Sequence, residues 1–160
     1  MFPYSVKKVK TFAVIRDPIS RFVSSFNFLK AGGMNEVDGM FALQHLSPFN
    51  SPEDLAEALI DPSYQGRILS YPHFARQCGF IKGLAGDVSI DCLVSLDRLQ
   101  VAEQWASKQL GRHVEFKLMN VGPKGRSETA QLKRGLAVIE TIYSEDLDLF
   151  RRLKSADAGV

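Results

Sequence analysis

The chain has 160 residues, of which 45% are hydrophobic and 24% are charged. This is the size and composition of one globular domain, so we expect residues 1–160 to form a single domain. A net charge of +2 is too small for the basic footprint of a nucleic-acid-binding protein, and any preference for anions must be local. No apolar run has the length of a transmembrane segment, and the first residues lack the apolar core of a signal peptide, which favours a cytoplasmic protein.

The predicted elements begin with a short apolar strand over residues 11–15 and a helix over residues 19–29. An unbroken apolar run is typical of a strand in a parallel sheet that is covered on both faces. Asp17 is suited to cap the helix, and Pro18 is suited to its first turn. Apolar side chains then recur on one helical stripe, at Phe22, Val23, Phe26 and Leu29.

Further helices and strands alternate along the rest of the chain. Residues 31–50 are rich in glycine and predict a long surface loop. The other predicted elements are a helix from 51 that ends at Asp61-Pro62, a short helix over 65–69, a strand over 90–96, a helix over 97–110 closed by Gly111, a strand over 114–118, a loop over 120–126, and helices over 127–142 and 144–154. Strands that alternate with helices predict an α/β layer architecture.

The segment after the first strand carries the residues that are most suited to bind an anion. Arg16 lies at the carboxyl end of the strand, where open α/β sheets place their ligands, and Ser24 lies about two turns into the helix. The helix N-terminus adds backbone N–H groups and the positive end of the helix dipole. A guanidinium and a hydroxyl that converge here suit a phosphate monoester. The alternative is that Arg16 pairs with Asp17 or another acid and that Ser24 faces solvent.

Residues 14–26, with Arg16-Asp17-Pro18, Arg21 and Ser24, resemble the 3′-phosphate-binding segment of sulfotransferases that use 3′-phosphoadenosine-5′-phosphosulfate. The resemblance covers nearly the whole chain and is best to the carbohydrate sulfotransferase branch. Its other segments are residues 71–77 with a His-aromatic-x-x-Gln pattern, 94–99, 120–122, and 143–150 with a Tyr-x-x-Asp-x-x-x-Phe pattern.

This resemblance implies a three-layer α/β fold with a mostly parallel sheet, of the type found in P-loop-containing nucleoside triphosphate hydrolases. It also implies transfer of a sulfuryl group from 3′-phosphoadenosine-5′-phosphosulfate, as co-substrate, to an acceptor hydroxyl on a partner such as a carbohydrate. Arg16 and Ser24 would hold the 3′-phosphate, and Arg21 would brace or extend that site. Lys124 and Arg126 would either close over a phosphate of the donor or lie in a solvated turn.

The sequence also departs from the family's pattern. The family binds the 5′-phosphosulfate with a Pro-Lys-x-x-x-Ser/Thr loop upstream of the 3′-phosphate segment, and only fifteen residues precede Arg16. Residues 123–127 imitate that loop, but they follow the wrong elements in chain order. We therefore expect a truncated product or fragment with an incomplete N-terminal side of the sheet, where exposed apolar surface favours self-association. The alternative function is a non-catalytic nucleotide-binding or interaction remnant of this fold.

His73 is the candidate general base, because an imidazole titrates near neutral pH. The alternative is that His73 packs against its aromatic neighbours. The sequence has no cluster with metal-ligand spacing, so no metal is expected. For the two cysteines, Cys78 and Cys92, free thiols are favoured over a bridge between them.

Overall fold

A computed structural model describes residues 10–82, 90–117 and 131–157, which form a mixed α/β arrangement. The strands are β1 (Phe12–Ile15) and β2 (Cys92–Ser95). The helices are α1 (Pro18–Lys30), α2 (Glu36–Phe41), α3 (Pro52–Ala58), α4 (Pro62–Leu69), α5 (Cys78–Ile81), α6 (Leu99–Leu110), α7 (Leu136–Ile142) and α8 (Ser144–Asp157). A π-helical turn over Ala42–Leu46 continues α2, and a 3-10 turn over Leu96–Arg98 leads into α6.

The two described strands pair in parallel, with Phe12 opposite Cys92 and Ile15 opposite Ser95. Asp91 holds the beginning of this pair, because its carboxylate accepts the Thr11 N–H at 3.0 Å and the Lys10 ammonium at 2.9 Å. Both strands therefore end at the same edge of the sheet. This carboxyl edge is where the sequence predicts ligand-binding residues.

The strand predicted over residues 114–118 is wrong for the residues that the structure describes, 114–117. The Val114 and Phe116 N–H groups donate instead to side chains of α6, to Ser107 Oγ at 2.9 Å and to Glu103 Oε1 at 2.8 Å. Backbone donors that find side-chain acceptors do not need a neighbouring strand. Within the described ranges the mostly parallel sheet is therefore a two-stranded one.

Helix α1 begins where the sequence predicts it and supplies much of the core. Asp17 Oδ1 caps it by accepting the Ser20 N–H at 2.8 Å. The ring of Phe22 lies against the rings of Phe74 and Tyr143, with centroids 5.6 and 6.5 Å apart. Burial of one such side chain stabilises the fold by about 1.5–3 kcal/mol. The predicted apolar stripe is buried in full: Phe22, Val23, Phe26 and Leu29.

The long loop predicted over residues 31–50 is wrong, because α2 and the π-helical turn occupy its centre. Asn35 caps α2 by accepting the Asp38 N–H at 3.0 Å, and buried Leu46 ties the π-helical turn to the core. Gly33 has a φ of +67°, and a Cβ there would lie 2.1 Å from Asp38 Cβ. The glycine signal therefore marks one tight turn between α1 and α2.

The helix predicted from residue 51 is confirmed, and a capping box between Ser51 and Asp54 begins it. Asp61 follows α3 as predicted, but its carboxylate also caps α4 by accepting the Ser63 N–H at 2.9 Å. The helix predicted over 97–110 is confirmed for α6, which Gly111 closes in the left-handed conformation at φ +64°.

The helix predicted over residues 127–142 begins later among the residues described, at Leu136 of α7. The Glu53 carboxylate of α3 accepts the N–H groups of Lys133 at 2.9 Å and Arg134 at 2.7 Å. Burial opposes the charge on Glu53, but these amide hydrogen bonds outweigh it and lower the pKa of the carboxyl. The turn before α7 is thus bound to α3 and is not helical.

Candidate functional site

The strand-to-helix turn at Arg16 is held by Gln77, a buried residue that directly precedes α5 and is 61 positions away in the chain. The Arg16 N–H donates to Gln77 Oε1, and Gln77 Nε2 donates to the Arg16 carbonyl, both at 2.9 Å. Both hydrogen-bonding groups of the Arg16 backbone are therefore satisfied by one amide. This fixes the position from which the Arg16 side chain, which is half-buried, leaves the carboxyl edge of β1.

The N-terminus of α1 offers fewer backbone donors than the sequence predicts. Pro18 has no N–H, and the carboxylate of Asp17 already accepts the N–H of Ser20. A negative charge at the cap also disfavours a second anion there. An anion at this turn would therefore depend on the Arg16 guanidinium and the Ser24 hydroxyl more than on the helix amides.

The two serines at positions 24 and 25 lie on α1 in different surroundings. Ser24 is half-buried, one helical turn after Ser20 and one turn before Phe28, so these three residues share a face. Ser25 is buried, and its Oγ donates to the His73 carbonyl at 2.9 Å. Ser24 is thus the serine available to a ligand, while the Ser25 hydroxyl is used in a hydrogen bond to the backbone of His73.

Arg21 braces the segment that contains His73. Its Nη1 donates to the Ala75 carbonyl at 2.7 Å, and its Nη2 donates to the Pro72 carbonyl at 2.9 Å. Burial lowers the pKa of this guanidinium, which stays charged at neutral pH. These contacts engage Arg21 with residues 72–75, and the role predicted for it at the 3′-phosphate site stays a prediction.

His73 lies in an aromatic and acidic setting. Its ring centroid is 5.2 Å from that of Phe28 on α1 and 5.7 Å from that of Tyr71. His73 Nε2 is 3.4 Å from Asp38 Oδ1, and the histidine side chain is 38% exposed. The predicted packing against aromatic rings is therefore present, and it leaves more than a third of the imidazole open to solvent.

The corner between α7 and α8 binds the other end of the same segment. Tyr143 donates its hydroxyl hydrogen to the Phe74 carbonyl at 2.6 Å. The buried Asp146 carboxylate accepts the N–H groups of Gln77 at 2.7 Å and Cys78 at 2.8 Å. Residues 71–77, which form turns, thereby receive side-chain partners from both α1 and α8.

Sequence reasoning missed Asp38, Gln77 and Asp146 as individual contributors to this region. Gln77 and Asp146 stand in the patterns at 71–77 and 143–150, but neither pattern shows which groups they bind. Asp38 falls in the predicted loop, where no local signal singles it out. The predicted residues Lys124 and Arg126, and the loop over 120–126, lie outside the described residues.

Both cysteines are free thiols in the structure. Burial, together with the neighbouring Asp146 carboxylate, raises the pKa of the Cys78 thiol to about 12. Cys78 is thus protonated at neutral pH and is a poor nucleophile. It lines a cavity of about 470 Å³ with Phe80, Lys82 and Glu145, and the predicted site residues that the structure describes, Arg16, Arg21, Ser24 and His73, do not line that cavity.

Over residues 10–82, 90–117 and 131–157, no group of three or more His, Cys, Asp or Glu side chains is arranged to hold a metal ion. Among the helices of these ranges, none combines the length and the apolar character that crossing a membrane requires. Comparison of the chain with models of protein families, with curated proteins and with solved structures finds no match.

Proposed function

We propose that this chain is a sulfotransferase, or the C-terminal portion of one, that binds 3′-phosphoadenosine-5′-phosphosulfate and transfers its sulfuryl group to an acceptor hydroxyl, on a carbohydrate in particular. The proposal includes the larger three-layer fold, with a mostly parallel sheet of the P-loop type, to which β1 and β2 would belong. Arg16 and Ser24 would hold the 3′-phosphate. Lys124 and Arg126 would close over another phosphate of the donor.

The observation that carries this proposal is the double hydrogen bond between Gln77 and the backbone of Arg16. It holds a guanidinium-bearing residue at the carboxyl edge of two parallel strands, directly before a 13-residue helix. Open α/β sheets bind ligands at this edge, and a positioned arginine is suited to a phosphate. Because the backbone is already fixed, binding costs little ordering of the turn.

Three segments of the family resemblance also contact one another. Arg21 of the first segment and Tyr143 of the last both bind carbonyl groups of residues 72–75. Asp146 binds the amide of Gln77. Three residues of the motif patterns, Arg21, Tyr143 and Asp146, thus bind the segment that carries His73, and this arrangement of the segments supports the proposal.

The chemistry follows as an in-line displacement at sulfur. The acceptor oxygen forms a new bond to sulfur, and the bond between sulfur and the 5′-phosphate oxygen breaks with its electron pair on the leaving adenosine 3′,5′-bisphosphate. A base takes the hydroxyl proton, and His73 is the candidate base. Positioning of the donor and stabilisation of charge would supply most of the catalysis.

Calorimetry with two nucleotides tests the proposal. Adenosine 3′,5′-bisphosphate should bind at least about tenfold more tightly than adenosine 5′-monophosphate, because a hydrogen bond to a charged group contributes about 1.5–3 kcal/mol. Arg16→Ala should remove this preference, and Ser24→Ala should reduce it. The matched controls are Arg152→Ala on α8 and Ser47→Ala, both at exposed positions. Equal affinities of the unaltered chain for the two nucleotides would overturn the assignment.

A further inference from the structure

His73 faces a carboxylate that the fold holds in place. Asp38 is 5% exposed, and its Oδ2 accepts the Met34 N–H at 2.8 Å. Its Oδ1 accepts the hydroxyl hydrogen of Tyr71 and lies 3.4 Å from His73 Nε2. Tyr71 in turn stacks on Phe41, with ring centroids 3.7 Å apart. The carboxylate oxygen that faces the imidazole therefore has little freedom to move.

Asp38 remains ionised in this setting. The hydrogen bond from Tyr71 is the largest cause that lowers the pKa of Asp38, followed by the one from the Met34 amide, and together they outweigh burial. The proximity of His73 lowers the pKa of Asp38 as well. A buried, ionised carboxylate beside an imidazole favours a proton on the nitrogen that faces it.

We propose that Asp38 is the positioning residue for His73, keeping the proton of the neutral imidazole on Nε2 so that Nδ1 is the nitrogen that receives a proton from the acceptor hydroxyl. This inference rests on the proposed sulfuryl transfer. As the acceptor oxygen bonds to sulfur and the bisphosphate leaves with the electron pair, the hydroxyl proton passes to Nδ1. The resulting imidazolium is then stabilised by the Asp38 carboxylate at Nε2.

Two further groups act on the same imidazole or its backbone. The Tyr71 hydroxyl donates to the same oxygen, Asp38 Oδ1, that faces His73 Nε2, so it withdraws negative charge from the pair. The Arg21 guanidinium binds the carbonyls of Pro72 and Ala75 on either side of His73. Removal of the Asp38 charge should therefore weaken the preference of the His73 proton for Nε2, whereas removal of the Tyr71 hydroxyl should not.

Nitrogen-detected NMR of the full chain tests this directly. In the unaltered protein, the neutral His73 ring should carry its proton on Nε2. In Asp38→Asn, the preference of the proton for Nε2 should weaken, because a neutral amide attracts that proton less than a carboxylate does. In Tyr71→Phe, the proton should stay on Nε2, because Asp38 Oδ1 then faces His73 alone. Exposed His113 is the internal reference, and its ring should give the same nitrogen signals in all three proteins.

A proton on Nδ1 in the unaltered protein would overturn the inference. So would an unchanged preference for Nε2 in Asp38→Asn, or a weaker preference in both variants, which a general loosening of the fold would produce. If Asp38→Asn does not fold, Tyr71→Phe decides alone, and a loss of the preference for Nε2 in that variant would overturn the inference. The NMR measurement needs no nucleotide, so the two experiments can fail independently. Equal affinities for the two nucleotides would overturn the proposed function, whereas the NMR result alone decides the role of Asp38 toward His73.

Discussion

Gln77→Ala is the substitution that most directly tests how the strand-to-helix turn is held. It removes one hydrogen bond to the N–H and one to the carbonyl of Arg16, each 2.9 Å long. A typical hydrogen bond contributes about 0.5–1.5 kcal/mol, and a buried group left without a partner costs about 1–3 kcal/mol. Arg16 is half-buried, so water can replace part of the loss. We expect a loss of about 2–3 kcal/mol in the free energy of unfolding.

Urea unfolding followed by circular dichroism measures this loss as a lower midpoint with an unchanged slope. For a chain of this length, the melting temperature should fall by about 2–4 °C for each kcal/mol. Gln104→Ala, at an exposed position of α6, is the matched control and should change stability by less than about 0.5 kcal/mol. If Gln77→Ala were no less stable than Gln104→Ala, Gln77 would not hold the turn, and the observation that carries the proposed function would be lost.

Three other predictions concern neighbouring contacts. Arg21→Lys should cost about 1–2 kcal/mol, because an ammonium does not reproduce the fork that binds both carbonyls; urea unfolding against exposed Arg152→Lys measures it. Gly33→Ala should destabilise the chain by more than about 1 kcal/mol, because φ is +67° at this position and the new Cβ would collide with Asp38. Gly66→Ala on α4, where no atom lies within 4 Å of the new Cβ, should not destabilise the chain, and thermal melts of the two variants compare them. Hydrogen bonds from the Lys10 ammonium and the Thr11 amide lower the pKa of Asp91 to about 2. The stability that ionised Asp91 confers is therefore present above about pH 4 and is lost as the pH falls toward 2. The difference in urea midpoint between the unaltered chain and Asp91→Asn should become smaller over that pH range.

The elements that sequence reasoning predicted well are those with local signals at both ends. Helix α1 has a capping residue, a proline in its first turn and a complete apolar stripe, and all of these lie within residues 17–29. The helix at α2 lacks such a stripe, because Val37, Met40 and Leu43 are exposed on its outer side and on the following turn. Without a polar outer face, the segment gave no helical periodicity, and the three glycines of residues 31–50 dominated the prediction.

The contacts of the candidate site could not be predicted from the sequence, for a different reason. Gln77, which holds the Arg16 turn, is 61 positions from Arg16 in the chain, and Asp146, which holds Gln77, is 69 positions from it. A single sequence reports residue types and local spacing, and the pairing of distant side chains is decided by how α1, α2 and α8 pack. These contacts fall within segments quoted for the resemblance to sulfotransferases, but that resemblance assigned no partner to any of them.

The irregular form of residues 71–77 explains why so many buried polar side chains gather around it. A segment without helix or strand leaves its backbone groups without regular partners, and buried groups of this kind must be satisfied. Arg21, Ser25 and Tyr143 supply donors to its carbonyls, while Asp146 supplies an acceptor to its last N–H group, that of Gln77. Because loss of a buried partner costs more than the bond itself contributes, this arrangement favours one conformation of the segment. A segment fixed in this way holds both Gln77 against Arg16 and His73 against Asp38 without a ligand, which is the condition that the proposed phosphate binding and the proposed proton transfer share.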